Sequence, residues 1–314
     1  MKNLHYKFLF ILFSMSFVLF FDCKSRGNDP NNINTNETNK KTEYVANGVK
    51  FVMVSIDKAN KVVLGNNTDE QNKEHTVSLS PFAIGETEVT QELWQAVMKN
   101  NPSNFDGSEK KKAEEGEIQV KRPVEKVSWF MAIAFCNELT KVVGVENAEC
   151  VYYSDVTMTK IYTSEDAGNE VHPFMNIAKK GFRLPTEAEW EWVAMGGEKT
   201  KYAGTNEKQS LQDYAWISIN SKNKTHEVKK KKSNAYGLYD MSGNVWDWCW
   251  DWHSDPIDTS NEENPLGVPS GLTKVCKGAS YAEDNEADEC ASYFRVSFPT
   301  NFEGRNIGVR LVRR

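Results

Sequence analysis

Gly237-Leu-Tyr-Asp-Met-Ser-Gly-Asn-Val-Trp-Asp-Trp-Cys-Trp-Asp-Trp252 sets four tryptophans in strict alternation behind a glycine-bearing turn. Alternation from Val245 to Trp252 has a period of two residues, so the segment reads as a strand with indole along one face. Each such aromatic removes roughly 150–250 Å² from water when buried. Trp246, Trp248, Trp250 and Trp252 are therefore expected to anchor a hydrophobic core. The turn before them permits a second role. Asp240 and Asp247 flank Gly243, whose missing Cβ lets the backbone turn its carbonyls inward, and oxygen donors of this mixed kind suit a hard cation.

Upstream of this stretch the helix signals are well punctuated. Thr90 caps a predicted helix over Gln91–Met98 whose apolar face is Leu93, Trp94, Val97 and Met98. A second helix is expected from Ser128 to about Lys141, with Trp129, Ile133 and Cys136 on one side, which makes Cys136 a core thiol. A third follows Thr186, where Glu189 three residues later completes a capping box and Gly196-Gly197 ends the helix. Glu187, Glu189 and Glu191 on that helix read as a charged face with first-turn acids meeting the dipole. Val49–Ile56 alternates like an opening strand, and Cys150–Ser154 with Lys160–Thr163 reads as a hairpin insertion. After the tryptophans, Lys274–Tyr281 and Gly304–Arg314 read as strands. Between them an irregular run carries Tyr281, Tyr293, Phe294 and Phe298 among acids, a composition that suits either a ligand-facing surface or burial of those aromatics in the core.

The chain begins with Met1-Lys2-Asn3-Leu4-His5-Tyr6-Lys7 and an apolar run from Phe8 to Phe21. About 14 apolar residues fall short of the ~20 that cross a bilayer, so an export signal over residues 1–22 is expected. Cys23 stands where a bacterial lipobox places its acylated cysteine. Residues 23–44, rich in Asn, Thr and Lys, read as a lipidated disordered tether, and 45–314 as one folded domain. A net charge of −6 argues against a nucleic-acid partner. The lysine runs Lys110–Lys112 and Lys229–Lys232 read as solvated loops. Apart from Cys23, five cysteines remain, too odd a number to pair completely, and the histidines lack zinc-ligand spacing.

Several linked motifs then carry a family resemblance. Gly85-Glu-Thr-Glu-Val-Thr-Gln-Glu-Leu-Trp94, Gly181-Phe-Arg-Leu-Pro-Thr-Glu-Ala-Glu-Trp-Glu191, Gly237-Leu-Tyr-Asp-Met-Ser-Gly-Asn-Val-Trp-Asp-Trp248, Lys277-Gly-Ala-Ser-Tyr281 and Arg305-Asn-Ile-Gly-Val-Arg-Leu-Val312 occur in this order. Together they resemble the formylglycine-generating enzyme, or sulfatase-modifying factor, family. The resemblance implies an α+β, loop-rich domain with the C-type lectin-like fold of that family and structural calcium. One calcium site would fall on the Asp240 and Asp247 side chains with the Gly243 and Val245 carbonyls. A second would not form, because Trp216 stands where the family offers an asparagine.

The chemistry implied by the family does not carry over. Its oxidases hold copper(I) between two cysteine thiolates, which are the soft ligands that ion requires. Here Glu283 occupies the first of those positions, the second falls near Glu286 to Asp288, and Cys290 is out of register. No copper and no catalytic residue are therefore expected. The histidine triad of the iron-dependent branch is missing, and Leu311 replaces the family's disulfide partner for the Cys136 position. The chain is also similar to retroelement-diversified variable proteins, which use this scaffold for binding. The resulting expectation is a non-catalytic, membrane-tethered lipoprotein of the cell envelope or surface. Its contacts to an unknown protein or surface ligand would come from Tyr281, Glu283, Asp284, Tyr293, Phe294, Arg295 and Phe298. The alternatives are a formylglycine-generating oxidase acting on a protein cysteine and a structural cell-envelope protein.

Overall fold

The computed structural model describes residues 40–145, 149–283 and 288–314. Strands β1 (Lys41–Ala46), β2 (Val49–Ile56), β3 (Ala59–Leu64), β4 (His75–Leu79) and β5 (Phe82–Gly85) lead into helix α1 (Gln91–Met98). Then come α2 (Trp129–Val142), β6 (Tyr152–Tyr153), α3 (Ser164–Gly168), β7 (Phe174–Met175), α4 (Glu187–Ala194) and α5 (Ser218–Ser221). The C-terminal part supplies β8 (Trp246–Trp252), β9 (Lys274–Lys277), β10 (Val296–Phe298), β11 (Ile307–Gly308) and β12 (Val312–Arg313). Two four-stranded sheets form, in the orders β1-β2-β5-β12 and β10-β9-β8-β11, beside the small pairs β3-β4 and β6-β7. The architecture is α+β and loop-rich, as expected.

The caps lie where the sequence puts them. Thr90 accepts from the Leu93 amide, Ser128 from the Met131 amide, and Thr186 with Glu189 closes a reciprocal capping box. The tether reading needs one correction, because β1 already begins at Lys41. It pairs with β2 across a turn at Asn47 and Gly48, both with positive φ, and this Asn-Gly pair after an alternating run is a hairpin signal. The hairpin expected within 150–163 is replaced by β6 pairing with β7, with Ile161 making only a bridge to Tyr153. Residues 296–298, read as irregular, form the edge strand β10 on β9.

The indole strand is buried on both faces. On one face Trp246 and Trp248 lie in the core, and Trp248 donates to the Val127 carbonyl at 2.9 Å while Trp129 of α2 donates to the Cys249 carbonyl at 2.9 Å. On the other face Asp247 and Asp251 meet α4: Trp190 Nε1 donates to Asp247 at 2.9 Å and the Glu187 amide to Asp251 at 2.9 Å. Trp250 and Trp252 are only partly covered, so the wall of indole is half core and half surface.

The acids of α4 are the main departure from the sequence reading. Glu187, Glu189 and Glu191 are buried, not solvated. Glu189 takes a bidentate pair from Arg183 at 2.7 and 2.6 Å, Glu187 one from Arg295 at 2.8 and 2.7 Å, and Glu191 accepts from Lys277 at 3.0 Å. Ionised groups withdrawn from water require such partners. Removing one partner strands the other. Glu189→Ala is expected to cost roughly 3–5 kcal/mol in urea unfolding, against about 1 kcal/mol for Thr186→Ala, which loses only a cap.

Candidate functional site

The turn before β8 is held open by backbone geometry. Asp240, Gly243 and Asn244 all have positive φ, and a Cβ on Gly243 would lie 2.2 Å from the Trp216 carbonyl oxygen. Glycine is needed here for close approach as well as for φ. Trp216 is fixed in turn: its ring stacks on His226 at 3.8 Å, the Lys231 ammonium sits 4.0 Å above it, and its carbonyl accepts from the Asn244 amide at 2.8 Å.

Asp240 and Asp247 are both buried, and each uses only one oxygen. Asp240 Oδ2 accepts from the Lys229 amide at 2.7 Å, and Asp247 Oδ2 from Trp190 and from Arg310 Nε at 2.8 Å. The Oδ1 atom of each is buried with no hydrogen-bond partner. Glu88, also buried, receives the Asn244 side-chain amide at 3.2 Å and the Val245 amide at 3.3 Å. Burial pushes Asp240 up to about 6, and burial with Asp240 and Asp247 close by pushes Glu88 well above the ordinary range. Two aspartates and Glu88 thus lie around Arg310, with Lys231 also acting on Asp240, and the two unpartnered aspartate oxygens are the donors a divalent cation would use. Among the described residues no set of three or more His, Cys, Asp or Glu side chains is gathered as a metal cluster. A cation here would use two carboxylates and backbone carbonyls. Neither Glu88 nor Arg310 was singled out from the sequence; an arginine inside the apolar run Ile307–Val312 was the available signal.

The Glu283 carboxylate, expected from the sequence to stand in place of a cysteine, is fully engaged. One oxygen accepts from Trp246 Nε1 at 3.1 Å, and the other from the Ser280 amide at 2.8 Å and from the Ser280 hydroxyl. Asp288 accepts from the Tyr202 hydroxyl at 2.9 Å and pairs with Lys201 at 2.9 Å. All five described cysteines are buried thiols, and burial raises the pKa of Cys136, Cys249 and Cys276. This arrangement anchors loops; thiolate chemistry needs exposed, low-pKa sulfur instead.

The expected ligand surface separates into two groups. Tyr281 is 1% exposed, against Phe105, and Arg295 is 3% exposed in its pair with Glu187 and a bond to the Ser254 carbonyl. Both are corrected to interior residues, since burial and, for Arg295, the bidentate pair with Glu187 withdraw them from the surface a ligand would meet. Asp284 lies outside the described residues. Tyr293, Phe294 and Phe298 remain partly exposed. Phe298, on the edge strand β10, stacks on the exposed Phe302 at 5.0 Å and meets Trp248 edge-on.

Residues 34–314 match the sulfatase-modifying factor enzyme 1-like domain. The chain is 35% identical over 263 residues to the chaperone protein LppX of Paenibacillus barcinonensis, covering 76% of this chain and 81% of that one. It is 26% identical over 272 residues to the formylglycine-generating enzyme of Streptomyces coelicolor, covering 77% of this chain and 81% of the enzyme. In three dimensions it is similar to Treponema denticola variable protein 1, with a TM-score of 0.78 and 44% identity over 87% of this chain and 99% of that one.

Gly243→Ala tests the turn itself. A strained αL residue plus a clash with the Trp216 carbonyl is expected to cost roughly 1–3 kcal/mol or more in thermal unfolding. An unchanged melting temperature would contradict this turn geometry.

Proposed function

The chain belongs to the sulfatase-modifying factor enzyme 1-like family, and from that membership we propose that it is a non-catalytic ligand-binding protein, exported and held to a membrane through an acylated Cys23. Cys23 itself lies outside the described residues. Among the described residues no helix is long and apolar enough to cross a membrane. The observation that carries the reading is Glu283: a carboxylate locked to Trp246 and Ser280 occupies the place where the family's oxidases need a thiolate. Two-coordinate copper(I) is not supported by an oxygen donor that already accepts hydrogen bonds from two residues.

Binding would use the edge strand β10 and the loops on either side of it, with Phe294, Phe298 and Phe302 as rigid aromatic contacts. A protein ligand is favoured because one relative bears a chaperone's name. Calcium would stiffen this scaffold. Asp240 Oδ1 and Asp247 Oδ1, both without a partner, would hold it together with the Gly243 and Val245 carbonyls. Its contribution would be structural.

Two measurements test these points. In a purified sample given copper(I), oxygen and a Cys-x-Pro-x-Arg peptide, the substrate motif of the family, mass spectrometry is expected to find the peptide unchanged while an active family member converts it. Aldehyde formation would restore the oxidase reading. Calcium is expected to raise the melting temperature of the parent protein, since saturation at about 100 times Kd stabilises by roughly 2.7 kcal/mol. Asp240→Asn should abolish that rise, and a parent protein indifferent to calcium would remove the ion from the site.

A further inference from the structure

At the far end of the indole wall from Glu283, Lys274 projects from β9 into a box of three tryptophans. Its ammonium lies 4.2 Å from the Trp129 ring, 4.7 Å from Trp250 and 3.7 Å from Trp252. Three indole faces favour a cation. The ammonium has three donors, and one hydrogen bond is made, to the Trp250 carbonyl at 2.8 Å. The contrast with Lys277 is informative. Lys277 is equally buried and meets Glu191 at 3.0 Å and Glu187 at 3.6 Å, whereas Lys274, 1% exposed, makes no carboxylate ion pair among the described residues.

The box opens onto a cavity of about 410 Å³, within the range of small-molecule sites, whose walls include His172, Phe174, Trp250, Trp252, Pro269 and Lys274. Its mouth is apolar: Met158 and Phe174 of the lining are each 37% exposed. Leu272, between the lining residues Ser270 and Lys274, is 93% exposed. An exposed apolar rim around an aromatic pocket marks a binding site more often than a bare surface. The chemistry of the lining narrows the occupant. The protein's own ammonium already fills the indole box, so a ligand cation is disfavoured. A buried cation with one oxygen acceptor lacks an anion, and the partly covered indoles offer flat faces for stacking.

We propose that this cavity binds a small organic carboxylate with a flat apolar body, the carboxylate meeting the Lys274 ammonium and the body lying against Trp250 and Trp252. This site is separate from the β10 surface and does not depend on it. Three charged or titratable groups matter there. Burial holds the Lys274 amine down to about 7, with Asp251 from β8 acting in the opposite sense. Burial lowers His172, and Lys274 lowers it further. A docked carboxylate favours the ammonium, so at pH 8 binding takes up part of a proton.

The test compares 3-phenylpropionate with 3-phenylpropan-1-ol on the purified protein at pH 8, by tryptophan fluorescence and by calorimetry in two buffers of different ionisation enthalpy. The acid is expected to bind about tenfold or more tightly than the alcohol, as a charge-assisted contact allows, with proton uptake for the acid alone. Lys274→Met should erase the preference. Phe174→Glu, which adds a repelling charge at the mouth without touching the box, should weaken the acid selectively and serves if the lysine variant does not fold. Equal affinity for the two compounds, absence of binding at millimolar concentration, or an acid preference that survives in a folded Lys274→Met or Phe174→Glu protein would overturn the proposal.

Discussion

Asp247 and Arg310 form the contact on which much of the molecule hangs. The Asp247 carboxylate takes Arg310 Nε on the same oxygen that takes the Trp190 indole of α4. Arg310 uses its remaining donors on the carbonyls of Gly85, Tyr239 and Asp240. One buried pair thereby joins β8, α4, the end of β5, the turn before β8 and the C-terminal segment. In a domain with short strands and long loops, regular ladders satisfy only part of the backbone. Buried side-chain ions with directed hydrogen bonds fill the gap, and their geometry fixes the loops more tightly than apolar contact would.

The same logic runs along α4. Glu189 holds the nearby Arg183, whereas Glu187 and Glu191 hold partners from distant parts of the chain: Arg295 for Glu187, and Lys277, the Gly65 amide and Asn72 for Glu191. The helix is therefore a connector between the two sheets' surroundings, with charges serving where a bundle helix would present leucines. Such pairs contribute little net stability over an apolar alternative, yet each is costly to break. A scaffold of this type tolerates change at its surface while its interior remains specified.

Function follows from which positions that interior leaves uncommitted. Glu283, Tyr281 and Arg295 are all committed to internal contacts. What remains available lies on the β10 edge and at the open end of the indole wall. Phe298 stands opposite Lys274 in the β9–β10 ladder, and Lys274 opposite Trp252 in the β8–β9 ladder. One row across three strands thus carries a partly exposed aromatic, a caged ammonium and a half-covered indole.

Much of this was legible from local pattern. The caps at Thr90, Ser128 and Thr186 depend on residues three apart, and the alternation of Val245–Trp252 on residues two apart, so a linear reading captures them. The motif order identified the family, and with it the oxygen-rich turn around Gly243. Only the tertiary structure decided the fate of the charges. Glu187 finds Arg295 across 108 positions, and Lys274 meets Trp129 only because α2 packs on β8. A carboxylate in the first turn of a helix has the same sequence signature whether it faces water or a guanidinium, because what separates the two cases is desolvation by segments far away in the chain. For that reason the sequence determined the elements and the family, while three-dimensional packing decided which acids, aromatics and lysines are held in the interior and which reach the surface.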